Sequence, residues 1–447
     1  MTQFDVVQVL LISTYDLGRQ PFGLASPAAW LREAGVQVTC ADLSRDKLPE
    51  DAVRGADLVA FFLPMHTATR LAVPVIERVR ALNGSAVLCA YGLYAPLNAA
   101  VLRERGVTHI LDGEFEASLR DLALSGRIAG DGGLQRLQFR TPDRSSLPPL
   151  LRYAALQIGD EQRITGYTEA SRGCKHRCRH CPIVPVYDGR FRVVPVETVL
   201  ADVRAQVQSG ARHITFGDPD FFNGIGHARA VMGAFRREFP DVSYDVTIKV
   251  EHLLNHADVL PHLRETGCAF VTTAVESVDD DVLAKLRKGH TRADFERVVT
   301  IFRDLELTLS PTFVAFTPWT TLEAYRELLE AIARMELVGN VAPIQLAIRL
   351  LVTEGSRLLE LPDVRTLCRD FDPRSLTYPW KHPDPRVDRL QQQIASAVGV
   401  HSTAPRHELF QTIWRMTHDA ADGTGTLALP DVRPRTSIPY LNEPWYC

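Results

Sequence analysis

The sequence predicts an α/β protein with a doubly wound amino-terminal domain, a partial (β/α)6 barrel and a small, mostly helical carboxy-terminal region. Over the first 125 residues, short apolar strands alternate with amphipathic helices. After residue 163 the alternation resumes with one long helix per strand, and after residue 353 the chain becomes Pro-rich and irregular. Strand–helix alternation of this kind is typical of a parallel sheet that helices cover.

The amino-terminal domain is predicted to span residues 1–127. Apolar runs predict strands at 6–13, 36–41, 58–63, 86–90 and 108–111. Helical patterns lie between them at 25–33, 67–82, 95–105 and 114–124. In a doubly wound domain the ligand lies at the carboxyl ends of the strands, so we expect any ligand of this domain there.

Gly, Asp, Ser and Pro accumulate over residues 128–162, which we interpret as a linker. The barrel is predicted over 163–353, with strands at 164–169, 213–216, 244–250, 270–274, 308–316 and 343–351. Its chemistry is expected at the carboxyl ends of these strands. Residues 354–447 form the predicted carboxy-terminal extension and tail, with helices at 385–398 and 406–420.

Composition excludes several classes of protein. Of 447 residues 45% are hydrophobic, and 50 basic side chains face 54 acidic ones, for a net charge of −4. This balance argues against disorder and against a general nucleic-acid scaffold. There is no long apolar run and no basic leader at the amino terminus, so we expect a cytoplasmic protein with no membrane partner. Eight cysteines are too few for a disulfide framework.

Three cysteines lie within eight residues directly after the first predicted barrel strand. Cys174, Cys178 and Cys181 have the spacing Cys-x3-Cys-x2-Cys. Thiolates hold iron–sulfur clusters, and three of them leave one iron of a four-iron cluster open to another ligand. A zinc ion is the alternative, with His176 or His180 as its fourth ligand.

This loop resembles that of the radical S-adenosylmethionine (radical SAM) superfamily. The resemblance implies that Cys174, Cys178 and Cys181 bind a [4Fe-4S] cluster and that SAM chelates its open iron. One electron from the cluster would then cleave SAM, usually to methionine and a 5′-deoxyadenosyl radical. His180 stands where the family commonly has an aromatic residue beside the adenine.

Downstream segments extend the resemblance and imply SAM-binding residues. Gly217 and Asp218 end the second barrel strand where the family usually has Gly-Gly-Glu for the methionyl amine, and Asp220 is a second candidate. Glu276 resembles the glutamate that binds the SAM ribose; the alternative is a helix-start carboxylate. Arg349 is a candidate for a SAM or substrate carboxylate, with a structural ion pair as the alternative.

The domain order is similar to that of cobalamin-binding radical SAM proteins, so the amino-terminal domain is B12-binding-like. Many such domains carry Asp-x-His-x-x-Gly after strand 1, but the segment Ser13–Gly18 contains no histidine. His66 follows the third strand, where we interpret it as a loop or helix-start residue. Whether this domain binds cobalamin therefore stays open. The alternative is a related fold that only packs on the barrel.

The function expected from these features is a radical SAM enzyme that starts hydrogen abstraction or group transfer on an unidentified substrate. A cobalamin-dependent radical SAM methyltransferase and a non-catalytic metal-binding protein are the alternatives. The expected partners are an electron donor such as flavodoxin or ferredoxin and a small-molecule or peptide substrate, without nucleic acid. A methylthiotransferase is disfavoured because it needs three more cluster cysteines, and only Cys40 and Cys89 lie in the amino-terminal region.

The tail Asn442–Cys447 resembles radical SAM proteins whose tail reads Cys-Cys-Ala-Glu-Pro or Cys-selenocysteine-Ala-Glu-Pro. We therefore expect a selenoprotein whose UGA codon is read as a stop after Cys447, a residue that would serve a redox or metal-binding pair. The alternative is a terminus with a free cysteine. Sequencing the gene should show UGA after the Cys447 codon and a selenocysteine-insertion element downstream. Any other terminator, or UGA without that element, would contradict the expectation.

Overall fold

The amino-terminal part is a five-stranded parallel sheet with helices on both faces. The structure is a computed structural model that describes residues 7–128, 134, 137–400, 404–421 and 438–442. The strands of this sheet are β1 (Gln8–Ser13), β2 (Gln37–Asp42), β3 (Leu58–Phe62), β4 (Val87–Tyr91) and β5 (His109–Leu111). The helices are α1 (Phe22–Glu33), α2 (Glu50–Gly55), α3 (His66–Leu82), α4 (Tyr94–Leu97), α5 (Ala99–Glu104) and α6 (Glu116–Ser125).

The strand order in this sheet is β2-β1-β3-β4-β5, and every pair is parallel. The order reverses at β1, and in such sheets ligands bind at the carboxyl ends of the strands beside the reversal. The predicted doubly wound fold is therefore confirmed. No helix in the described ranges is long and apolar enough to cross a membrane.

A second, curled sheet forms the partial barrel. Its strands and the hairpin beside it are β6 (Ala155–Ile158), β7 (Glu161–Thr168), β8 (Ser171–Gly173), β9 (Phe191–Val193), β10 (His213–Phe216), β11 (Ser243–Thr247), β12 (Cys268–Glu276), β13 (Leu309–Phe313) and β14 (Tyr440–Leu441). The helices are α7 (Val184–Tyr187), α8 (Val196–Gln208), α9 (Ile225–Glu238), α10 (Val250–Asn255), α11 (Leu260–Glu265), α12 (Asp280–Leu286), α13 (Arg292–Asp304) and α14 (Leu322–Arg334). The carboxy-terminal region adds α15 (Pro362–Leu367), α16 (Pro385–Val400) and α17 (Arg406–Ala420).

The barrel sheet has the order β13-β12-β11-β10-β7-β6-β14. Strands β7, β10, β11, β12 and β13 are parallel, whereas β6 and β14 pair antiparallel at the edge. All five carboxyl ends therefore open on one side of the barrel. Strand β6 lies in the predicted linker. A linker side chain also contacts the first sheet, since the Tyr153 hydroxyl donates a hydrogen bond to Asp42 of β2 at 2.8 Å.

The sixth barrel strand, predicted over 343–351, is much shorter than expected. Pro343 begins a 3-10 turn that continues to Leu346, and proline suits such a start because it has no N–H to satisfy. In the rest of the predicted strand, the backbone pairs with the segment after β13 through one parallel bridge, between Phe316 and Arg349. The sixth position of the barrel is thus kept, with a single bridge in place of a strand.

Helix α13 shows how the sequence builds the outer layer of the barrel. Thr291 and Asp294 form a reciprocal capping box at its start, which satisfies backbone N–H groups that a helix start leaves free. Four side chains at helical spacing are buried against the sheet: Phe295, Val298, Val299 and Phe302. This one-sided apolar stripe positions the helix and leaves the strand ends open for the site.

Glycine at position 92 is predicted to be essential to the end of β4. Gly92 has φ +102°, and a Cβ there would lie 2.9 Å from the Leu63 carbonyl oxygen. Gly35 also has a positive φ, +79°, but nothing lies within 4 Å of its Cβ position. We expect Gly35→Ala to cost about 1–2 kcal/mol in unfolding free energy and Gly92→Ala to cost clearly more. Equal losses in thermal or urea unfolding would contradict this prediction.

Candidate active site

The three cysteines lie on the loop that follows β7, at the open side of the barrel. Gly173, directly before the loop, has φ +73°, and the Tyr187 ring occupies the space that a side chain there would need. At the other end of the loop, the backbone N–H of Arg179 donates to the Leu286 carbonyl at 3.0 Å. Its guanidinium donates to the Lys285 carbonyl at 2.8 Å. The cysteine loop is therefore fixed between the β8–β9 hairpin and α12.

The thiols of Cys174 and Cys181 lie close enough to Cys178 for its charge to affect their ionisation. Burial, with a smaller contribution from the charge of Cys178, raises the pKa of Cys174 to about 11 and the pKa of Cys181 to about 12. The positive charge of Lys288, which is 3% exposed, lowers the pKa of Cys181 and so opposes these effects. Thiols held protonated in this way become thiolates when a metal binds them. The set of donors fits an iron–sulfur cluster.

Glu276 ends β12 beside the cysteine loop, at a bulge where the pairing with β13 shifts register. Its φ is +69°, and its Oε1 lies 3.1 Å from Nε2 of His180 and 3.3 Å from Nζ of Lys288. Burial alone would raise its pKa, but Lys288 and His180 together lower it to about 2. Glu276 is thus a carboxylate at neutral pH, and the structure brings it together with His180 as an acceptor at the barrel mouth.

Gly217 and Asp218 follow β10, beside the start of the cysteine loop. The Tyr167 hydroxyl fills the position that a Cβ at residue 217 would occupy, so only glycine fits. The carboxylate of Asp218 accepts from the Ala170 N–H at 2.9 Å and from the Ser171 hydroxyl at 2.5 Å. Burial raises its pKa to about 7. Both of its oxygens therefore hold the strand that leads to the cysteines, and its role toward SAM stays a prediction.

Arg349 is engaged with other residues of the chain. Its Nη1 lies 2.7 Å from Asp388 Oδ1, and its Nη2 donates to the Trp380 carbonyl at 2.9 Å. The guanidinium also lies 3.5 Å from the centre of the Trp380 ring. These contacts are those of the structural ion pair that the sequence left open as the alternative. A role toward a bound carboxylate stays a prediction.

Asp220, the second acidic candidate, meets two histidines. His252 of α10 places Nδ1 2.7 Å from Asp220 Oδ2, and His176 of the cysteine loop places Nε2 3.5 Å from the same oxygen. The two histidine Nε2 atoms are 3.2 Å apart. Sequence reasoning missed His252, although its position just after β11, a strand that ends at the barrel mouth, is the signal that could have found it.

Arg172 joins the cysteine loop to the amino-terminal domain. It is 6% exposed and lies 3.0 Å from Glu114, 2.7 Å from Glu116 and 2.8 Å from Glu169. Glu114 and Glu116 follow β5, at the carboxyl end of the first sheet. Burial raises the pKa of Glu169 to about 7. One buried cation thus ties the carboxyl ends of both sheets together.

A cavity of about 340 Å³ lies between the two sets of strand ends. Residues from both domains line it, among them Asp16, Phe22, Gly92, Gly113, Tyr167 and Gly217. Its described lining includes no histidine, and His66 instead lies 2.6 Å from the Ser375 carbonyl. The tail cysteine, Cys447, lies outside the described residues.

Buried acids at this boundary predict a pH dependence. Burial raises the pKa of Asp16, Glu169 and Asp218 to about 7, whereas in the unfolded chain they ionise near pH 4, at about 3.9 for Asp. Between those values the folded protein binds more protons, so its unfolding free energy falls as the pH rises. Asp218→Asn should flatten this fall in urea unfolding between about pH 5 and about pH 8. The exposed Asp241→Asn should leave it unchanged; equal slopes in both variants would contradict the prediction.

Comparison with known proteins agrees with this geometry. A family model described as the radical SAM superfamily matches residues 168–332, from the end of β7 through most of α14. The tRNA-2-methylthio-N(6)-dimethylallyladenosine synthase of Chlorobium limicola is 28% identical over 183 residues, 39% of this chain and 39% of that protein. The hopanoid C-3 methylase of Methylococcus capsulatus is 24% identical over 330 residues, 69% of this chain and 64% of that protein. The chain thus spans less than two thirds of either relative.

Among solved structures, the fold is similar to that of OxsB, a cobalamin-dependent S-adenosylmethionine radical enzyme with aqua-cobalamin and S-adenosylmethionine bound. The TM-score is 0.72 at 14% identity, over 93% of this chain and 72% of that chain. This likeness confirms the predicted architecture of two α/β parts and a helical carboxy-terminal region. The segment that carries the three cysteines is thus similar to the radical SAM superfamily.

Proposed function

We propose that this chain is a radical SAM enzyme that holds a [4Fe-4S] cluster on Cys174, Cys178 and Cys181. The observation that carries the proposal is the position of three neighbouring thiols on one fixed loop, at the open side of a barrel that matches the radical SAM model. When bound, the cluster and SAM supply a one-electron cleavage of SAM that starts hydrogen abstraction or group transfer. The substrate is a small molecule or a peptide, and the electron donor is a flavodoxin or a ferredoxin.

The charges around the loop suit this role. Lys288 is buried beside the thiols and interacts with Cys178 and Cys181 as well as with Glu276. It offsets part of the negative charge that three thiolates bring into a buried site. Glu276 keeps its own negative charge because its pKa is about 2, so it offers carboxylate oxygens to the ribose hydroxyls of SAM. His180 fixes this carboxylate from the cysteine side and is proposed to lie by the adenine.

Gly217 and Asp218 are proposed to meet the methionyl end of SAM. The absence of a side chain at Gly217 makes room for the Tyr167 hydroxyl, and both residues line the cavity. Asp218 has a pKa near 7, so an ammonium group beside it would favour its ionised form. Arg349 reaches a carboxylate only by releasing Asp388, which makes it the least direct of the SAM candidates.

A triple Cys174→Ala, Cys178→Ala and Cys181→Ala variant should lose the cluster. We expect loss of bound iron and sulfide, of the brown chromophore and of SAM cleavage under dithionite, because these thiols are the proposed ligands. Cys368→Ala, a half-buried thiol outside the loop, is the matched control and should retain all three. Retention of cluster and SAM cleavage by the triple variant would refute the proposal.

A second candidate is a cobalamin-dependent radical SAM methyltransferase. The cavity between the strand ends favours it, because a doubly wound domain binds ligands at that place. OxsB, which shares the fold, is described with aqua-cobalamin bound. The cavity, about 340 Å³, is at the small end of ligand pockets. Its described lining offers no histidine, so cobalamin would bind there without a histidine ligand from that lining.

Cobalamin binding can be tested directly. Protein mixed with hydroxocobalamin and passed through gel filtration should retain about one corrin per chain by its visible spectrum. Leu93→Trp, which narrows the cavity, should abolish retention, whereas Leu71→Trp, on an exposed position of α3, should not. Absence of bound corrin from the unmodified protein would exclude this second candidate.

The proposal also gives Cys447 a redox or metal-binding role in a selenoprotein-like tail. Its support is the resemblance of residues 442–447 to the Cys-selenocysteine tail. Soft sulfur and selenium ligands suit both roles. The codon that follows Cys447 tests it.

A further inference from the structure

We propose that His176, Asp220 and His252 bind a divalent transition metal, such as zinc or iron(II), at a second centre separate from the cysteine ligands. Each of these side chains offers one ligand atom, and the three atoms all lie within 4.8 Å of one another. Among the His, Cys, Asp and Glu residues that the structure describes, this is the one such group of three or more. This centre does not depend on the proposed enzymatic function.

Three different elements bring these ligands together. His176 lies on the cysteine loop after β7, Asp220 follows β10, and His252 lies in the first turn of α10 after β11. All three positions are at the open side of the barrel, where successive parallel strands end side by side. The site therefore follows from the barrel topology and not from nearness in sequence.

The side-chain atoms of the three residues lie as close together as the ligands of one metal ion. Asp220 and His252 are each 2% exposed, and Oδ2 and Nδ1 lie 2.7 Å apart. Yet neither atom has a hydrogen-bond partner in the described part of the chain. In a tetrahedral zinc site, ligand atoms about 2.0–2.1 Å from the ion lie about 3.3–3.4 Å from one another. A buried carboxylate oxygen and an imidazole nitrogen this close together are what two ligands of one ion present.

The Nδ1 side of His176 contacts two charged residues. Nδ1 lies 3.1 Å from Lys249 Nζ, a donor, and 3.7 Å from Glu251 Oε2, while Glu251 pairs with Lys249 at 2.9 Å. A hydrogen bond from Lys249 to Nδ1 leaves the ring proton on Nε2. A metal at Nε2 therefore requires that this proton move to Nδ1 and that Glu251 replace Lys249 as its partner. Nε2 itself faces Asp220 and His252.

The type of metal follows from the ligands. Two imidazoles and one carboxylate favour zinc or iron(II) over magnesium or calcium, which prefer oxygen ligands. Three protein ligands leave at least one position open, as in catalytic zinc sites. His176 lies between Cys174 and Cys178 in the sequence, so the ion would lie next to the cysteine loop. The bound ion would fix His176 and therefore the cysteine loop. The open coordination position of the ion would take an oxygen or nitrogen atom of a substrate.

Zinc is the probe for the experiment, because iron would be confused with the cluster. Cluster-reconstituted protein is dialysed against micromolar zinc and then against metal-free buffer, and zinc, iron and sulfide are measured per chain. X-ray absorption at the zinc edge then reports the ligands. We expect one zinc per chain at unchanged iron and sulfide, with nitrogen and oxygen ligands near about 2.0–2.1 Å and no sulfur near about 2.3 Å.

Variants locate the ion. His252→Ala and Asp220→Asn should each weaken zinc retention by more than about 100-fold, whereas His256→Ala, on the neighbouring histidine at the end of α10, should leave it unchanged. Zinc–sulfur ligation, equal retention in all variants, or no zinc retained by the unmodified protein would overturn the proposal. The absorption measurement on unmodified protein decides the matter even if a variant fails to fold.

Discussion

The structure depends on one buried cation, Arg172, that meets carboxylates from two domains. Glu114 and Glu116 come from the first sheet and Glu169 from the barrel. A buried ion pair adds little net stability, but loss of one partner leaves a charge that costs about 3–5 kcal/mol. The network therefore joins the two domains at a contact that is costly to break. Because Arg172 lies two residues before the first loop cysteine, the same contacts also position the candidate cluster site.

This arrangement sets two open edges against each other. A doubly wound sheet and a partial barrel both place their ligands at the carboxyl ends of parallel strands. Here residues from both sets of strand ends line one cavity, Phe22 and Tyr167 among them. Acids at the boundary outnumber the cations that pair with them, and burial raises the pKa of Glu169 and Asp218 to about 7. The region thus combines tight ionic contacts with groups that change charge near physiological pH.

Local patterns predicted most of the fold and the centre of the site. Strand–helix alternation fixes both sheets, and the spacing of Cys174, Cys178 and Cys181 is visible without any structure. What could not be predicted depends on residues distant in sequence. Arg349 pairs with Asp388, 39 residues away in the sequence, and His252 contacts His176, 76 residues away. The short sixth strand is a local exception, where a proline started a turn within a run that otherwise suits a strand.

Tyr167 links the domains in a second way. Its ring lies 6.1 Å from Phe22 and 4.8 Å from the Arg19 guanidinium, both in the amino-terminal domain. Its hydroxyl fills the space over Gly217 at the end of a barrel strand. The Tyr167 side chain therefore contacts both the amino-terminal domain and the backbone at the end of a barrel strand. A ligand that displaces Phe22 would change the packing of the Tyr167 ring. Because the Tyr167 hydroxyl lies over Gly217, the change would reach the backbone that is proposed to meet SAM.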